Sequence, residues 1–305
     1  MYFYTAFGLH IQSQIPLPEL SVAKEGQEVD LTIEVAPIDL PTMAPTNIHR
    51  RGVMATFGKN QRDDLLLHWE GIANFQASSG KLLRIDPLIT DENLLSLFTV
   101  SEALGLILFQ RGDFLLHASA VRVGDEAWCF MGNPGAGKST TAASFIKAGC
   151  PLLSDDLTAI RFDRQGVPFV IPAYPQLKIW EQTVKGLDYD TESLTPVSEG
   201  VNKFSYQPKE GFDHTPVRLK RVFFLHKARN RKYMEALSAV SIPIELLKNF
   251  PLPASLVQND TLKLHFQQSF QIAGFADLFR KRRDKSFDAL HEWVVSQTLP
   301  AADLS

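Results

Sequence analysis

Over residues 1 to about 90, apolar and polar positions alternate in short runs. Leu31-Thr32-Ile33-Glu34-Val35 has the period-two pattern of a half-buried strand, and Asp64–Trp69 and Lys81–Ile85 read the same way. Pro16, Pro18, Pro37, Pro41 and Pro45 punctuate these runs with turns. The pattern predicts a β-rich N-terminal domain over residues 1–90, followed by a second domain over residues 91–305. After Thr90 the pattern changes. Asp91 and Glu92 suit the positive end of a helix, and Leu94, Leu95, Leu97, Phe98, Val100, Ala103, Leu104, Leu106, Ile107 and Leu108 follow before Gly112. A helix apolar nearly all round is expected to be buried, here as core linking the two domains.

Farther on, Phe114–Val121 reads as a strand. Val123-Gly124-Asp125-Glu126 reads as a hairpin turn into the short apolar strand Trp128–Met131. Thr140–Ala148 is a predicted helix closed by Gly149. Pro151–Asp156 and Leu157–Phe162 follow as strands, with a turn from Asp163 to Gly166. Residues 185–216 are polar, contain Gly186, Gly200 and Gly211, and are expected to form a long mobile loop. Arg218–Leu225 is a further strand. The remainder, with Ile244–Phe250, Ala254–Gln258 and Ser286–Gln297, is expected to be mainly helical, and Arg280-Lys281-Arg282-Arg283 reads as a solvated helix end.

Composition narrows the class. The chain has 305 residues, 45% of them hydrophobic and 21% charged, which suits one large or two medium globular domains. A net charge of −3 gives no support to a nucleic-acid or membrane-surface partner. Cys129 and Cys150 are expected to be buried free thiols. The first residues lack the pattern of a signal peptide, and Leu104–Phe109 is too short to span a membrane, so a cytoplasmic protein is expected.

The chemistry sits between the predicted strand and helix, at Gly132-Asn133-Pro134-Gly135-Ala136-Gly137-Lys138-Ser139. This is a G-x-x-x-x-G-K-S phosphate-binding loop. Its glycines let several backbone N–H groups point at phosphate oxygens, Lys138 brings charge to the β/γ-phosphates, and the Ser139 hydroxyl can bind Mg²⁺. The following helix adds its positive end. Asp155 and Asp156 end the next strand, where one carboxylate can hold Mg²⁺ and a second can take a proton from an attacking hydroxyl. Adjacent strand residues point to opposite sides, so the pair shares a site only if the chain turns between them; otherwise both simply cap a turn. His117 precedes the hairpin and reads, by position alone, as either a core histidine or a site residue.

Leu116-His117-Ala118-Ser119-Ala120-Val121, the loop from Gly132 to Ser139, and Leu153-Ser154-Asp155-Asp156 together resemble the catalytic domain of bacterial HPr kinase/phosphorylase, in the order and spacing of that family. The resemblance implies an α/β phosphate-loop kinase domain of the HPr-kinase/PEP-carboxykinase type behind a smaller β-rich domain. It implies ATP along Gly132 through Thr140 and Mg²⁺ at Ser139 and Asp155. Asp156 would be the base for a serine hydroxyl, and His117 would sit near the transferring phosphate. The family's later glycine-rich motif, with its metal-binding glutamate and catalytic arginine, is missing. Tyr174–Trp180 stands in its place, and Lys178, Lys203, Arg218 and Lys220 are candidates for the absent charge. Phe7-Gly8-Leu9 and Ile15–Leu20 look like the shorter HPr-kinase-like proteins of peptide biosynthesis, among them lasso-peptide kinases that phosphorylate a precursor's C-terminal serine.

The expected function is therefore transfer of the γ-phosphate of ATP to a serine of a peptide or small protein. The alternatives are a small-molecule kinase on the same scaffold and a nucleotide-binding regulator without catalysis. A homo-oligomer, and a leader peptide recruited by an edge strand of the first domain, are open expectations.

Overall fold

The computed structural model describes residues 1–190, 192, 194–197, 202–207, 211–228, 230 and 232–298. Two compact units divide the chain: Met1–Leu115 with Phe250–Gln267, and Leu116–Asn249 with Gln268–Ser305. The helical segment after Thr90 thus belongs to the first unit instead of opening the second, and a later stretch of chain joins it there.

The first unit is built on β1 (Tyr2–Ala6), β2 (Leu9–Ser13), β3 (Ser21–Val22), β4 (Leu31–Val35), β5 (Ala44–Arg50), β6 (Val53–Lys59), β7 (Leu65–Trp69), β8 (Ala73–Ser78) and β9 (Leu82–Pro87). They form a nine-stranded sheet in the order β3-β1-β2-β4-β9-β8-β7-β6-β5. Its alternation is the one read from the sequence: Leu31 and Ile33 are buried while Thr32 and Glu34 are partly exposed. Against the sheet lie α1 (Glu92–Phe98) and α2 (Leu104–Gln110), joined by a π-helical turn over Thr99–Ala103. Asp91 caps α1, its side chain accepting from Leu94 N–H. The helix axis breaks at Ser101, whose hydroxyl donates to the carbonyls of Leu97 and Phe98 at 2.9 and 3.1 Å. Trp69 meets Phe98 edge-to-face at 4.9 Å, joining sheet and helices in one core. By length and composition Glu92–Gln110 reaches membrane-spanning size, which the short run Leu104–Phe109 did not suggest; 72% of its most apolar window is buried inside the protein.

β10 (Phe114–Leu116) crosses from the first unit to the second. The predicted strand Phe114–Val121 is broken at His117, which sits in a bend before β11 (Ala118–Val123). The second unit continues with β12 (Glu126–Met131), α3 (Lys138–Lys147), β13 (Leu152–Ser154), β14 (Thr158–Phe162), β15 (Pro168–Ile171), β16 (Leu177–Trp180) and α4 (Glu181–Gly186). Then come β17 (Leu194–Pro196), β18 (Lys203–Tyr206), β19 (Val217–His226), β20 (Met234–Ala236), α5 (Ile242–Lys248), α6 (Asn259–Phe275), β21 (Asp277–Arg282) and α7 (Phe287–Thr298). A main sheet has the neighbours β14-β15-β19-β12-β11-β13, with β21 on β19 and β20 on β21. β16, β18 and β17 form a separate three-stranded sheet. The expected loop over 185–216 is therefore partly structured; its residue Gly200 lies outside the described residues. The basic run at 280–283 is not a helix end: Arg280 to Arg282 belong to β21, parallel to β19.

Parallel pairing of β12 with β19 and of β19 with β21, and the two antiparallel steps from β12 through β11 to β13, give β12, β13, β19 and β21 one direction. Their carboxyl ends therefore emerge on one edge, where open α/β sheets hold their ligands. Beneath that edge the aromatic residues Phe130, Phe145, Phe223 and Trp293 pack with ring centroids 5.3 to 6.5 Å apart. Cys129 and Cys150 are buried free thiols, and burial alone pushes Cys129 up to about 12.

Candidate active site

The loop Gly132–Ser139 leaves β12 and enters α3 through three left-handed glycines, Gly132 (φ 140°), Gly135 (φ 74°) and Gly137 (φ 106°). At Gly132 a side chain is also excluded by space, since a Cβ would stand 2.5 Å from the carbonyl oxygen of Leu225 on β19. Lys138 Nζ donates to the Gly132 carbonyl at 2.9 Å, so the ammonium spans the concave side of its own loop. Burial pulls this ammonium below the ordinary lysine range, against the opposing charges of Asp156 and Asp155.

The acidic pair stands beside the loop. Asp155 is 5% exposed, and Oδ1 accepts from Ser119 Oγ at 2.6 Å and from Ser139 Oγ at 3.1 Å. Its Oδ2 accepts from the Lys178 backbone N–H at 2.9 Å. Burial pushes the Asp155 carboxyl up, and the charge of Asp156 adds to that; Lys203 and these hydrogen bonds oppose it. At Asp156 the backbone swings to φ 64°, the turn that two adjacent carboxylates need to face one site. Asp156 Oδ2 lies 3.7 Å from Lys178 Nζ, and the Lys178 side chain is only 5% exposed.

Lys178 and Lys203 of the four basic candidates are brought to this place. In the small sheet Lys178 is opposite Ser205 and Trp180 opposite Lys203, so these four side chains share one face. Leu177 and Ile179 on the other face join the core. Lys203 Nζ sits 5.6 Å from the Trp180 ring centroid, and its charge bears on both Asp155 and Lys138. Arg218 and Lys220 are not at the site. They lie toward the opposite end of β19, where Lys220 pairs with Asp277 at 3.6 Å.

His117 is tied to the loop by one residue. Its N–H donates to the Asn249 carbonyl at 2.7 Å, and the Asn249 side chain accepts from Gly132 N–H at 3.2 Å. Asn249 gave no sequence signal, being one polar residue at the end of α5. Two cations were also missed. Lys227 Nζ is 3.4 Å from where a Cβ on Gly135 would stand, and Arg283 Cδ is 3.6 Å from the same point on Gly137. The second lay in the basic run 280–283, whose strand character its charges concealed.

The donor set fits Mg²⁺. A buried carboxylate and a serine hydroxyl are hard oxygen ligands, and Asp155 Oδ1 and Ser139 Oγ are 3.1 Å apart. Among the described residues no group of three or more His, Cys, Asp or Glu could enclose a metal. An ion held by Ser139 and Asp155 would take its remaining oxygens from phosphate and water.

No family model and no curated protein matches the chain. Among solved structures, the HPr(Ser) kinase/phosphatase from Coxiella burnetii is similar over 52% of this chain and 97% of its own, at 14% identity and a TM-score of 0.27. An overlay that loose says nothing of chemistry.

Proposed function

We propose that the chain is an ATP- and Mg²⁺-dependent kinase that phosphorylates a serine hydroxyl of a peptide or small protein. The observation that carries this reading is the left-handed turn at Asp156, which gives neighbouring carboxylates separate partners at one site. The loop N–H groups and Lys138 bind the triphosphate. Ser139 and Asp155 would hold Mg²⁺, which supplies charge neutralisation on the phosphates when bound. Asp156 accepts the proton of the acceptor hydroxyl as its oxygen forms a bond to the γ-phosphorus, while the bond to the bridging β–γ oxygen breaks and ADP leaves. Proton transfer neutralises Asp156, so the charge of Lys178 is released toward the transferring phosphoryl group at the moment it is needed. His117, held by Asn249, lies beside the same group in this reading.

Phosphate transfer from ATP to serine peptides, followed with the Asp156→Asn variant, tests it. Transfer is expected to fall on the order of 10²- to 10⁴-fold while ATP binding survives. Undiminished peptide phosphorylation would remove Asp156 from the role of base.

A further inference from the structure

A cavity of about 110 Å³ opens beside the phosphate loop, lined among others by Gly137, Thr140, Thr141, Arg283, Phe287 and Leu290. It shares the last glycine of the loop, yet none of its lining belongs to the acidic pair or the small sheet. A ligand whose phosphates lie in the loop therefore finds room here for its other half, away from Asp156.

That place is built and held. The Phe287 ring lies so close to Gly186 that a Cβ there would approach it to 2.1 Å, so α4 ends on a glycine where the ring must pass. Asp284, next to Arg283, accepts from Lys281 Nζ at 2.6 Å and from the Tyr233 hydroxyl. Lys281 is 1% exposed and stands 4.1 Å from the Trp293 ring centroid. Arg283 N–H donates to the His226 carbonyl at 2.8 Å. A buried ion pair of this kind adds little net stability, but it fixes the path of the segment that carries Arg283 and Phe287.

The geometry points to a nucleoside subsite: the aromatic base of the phosphoryl donor lies against Phe287 and Leu290, and Arg283 borders its inner phosphate. This rests on the donor reading proposed above. A flat heterocycle matches an aromatic and aliphatic wall with a cationic rim, and base–aromatic stacking tolerates any base.

Titration calorimetry of the full chain with MgATP and with magnesium tripolyphosphate separates the two readings. Tripolyphosphate carries the same phosphates and more charge, so binding through the loop alone favours it. With the base in the cavity, ATP binds roughly tenfold tighter or more. Phe287→Ala is expected to bring that ratio close to one while tripolyphosphate binding persists. Ser286→Trp, at the cavity's exposed lining, is expected to do the same; it gives up the Oγ that accepts from Ala289 N–H but leaves the core intact. Equal binding of the two ligands by the unaltered chain overturns the subsite and leaves the phosphate loop standing. Binding of neither overturns the donor reading, and the subsite with it.

Discussion

Asp155 and Asp156 are neighbours in the chain, and one backbone angle gives them different partners. Their presence at a strand end was readable from the sequence; the φ of 64° at Asp156 was not, because aspartate tolerates several conformations and only the surroundings select one. Lys178 was legible only as one cation among four. Its near-complete burial depends on the small sheet, which no local pattern announced. His265 offers a test at this same scale. It is 6% exposed, stacks on Phe114 at 4.5 Å, and burial lowers its imidazole from 6.5 to about 4. In the unfolded chain it takes a proton as pH falls through about 6.5, whereas in the folded state it resists until about 4. Its contribution is therefore present above the higher value and is lost as pH falls toward the lower, by about 3 kcal/mol in all. Melting temperatures across this window should decline less steeply in His265→Leu than in the unaltered chain. Parallel declines would mean that His265 titrates normally.

Elements with a clean period were legible: β4, β7, β9, the β11–β12 hairpin, and the strand–loop–helix around Gly132 all fall where pattern and turn residues put them. The helix α6 falls in the stretch expected to be mainly helical, although it buries His265 and Ser269 and leaves Leu264 and Phe270 about half exposed. Those that failed share a cause. In β21 the most buried residue is Lys281, so hydropathy points the wrong way. β17 and β18 are short and polar, and the pairing of β18 with β16 and of β17 with β18 supplies what their sequences lack. The strand–loop junction predicts its own sensitivity. Gly132→Ala places a Cβ against the backbone of β19, which the core below cannot yield, in a conformation alanine resists. A loss of roughly 1–3 kcal/mol or more, with loss of ATP binding, is the expected outcome of denaturant titration and calorimetry. Wild-type values for both would mean that the loop has slack at this point.

At the scale of the whole molecule, the sequence pattern changes after residue 90, whereas the two compact units of the folded chain divide after Leu115. Phe250–Gln267 returns to the first unit, where Phe250 meets Phe109 at 6.0 Å. A long-range return of this kind leaves no mark in a local reading. One feature of the small sheet has a practical side. The chain has four tryptophans. Trp69, Trp128 and Trp293 are at most 8% exposed, whereas Trp180 is 52% exposed, beside Lys203 and one residue removed from Ile179 and the core. Acrylamide should therefore quench a single red-shifted component of the emission, and Trp180→Phe should abolish it; an accessible component surviving that change would place the exposed indole elsewhere. The face that holds Lys178 beside Asp156 thus carries an intrinsic fluorophore, and a peptide acceptor, in the reading proposed above, would report its arrival there as a change in light.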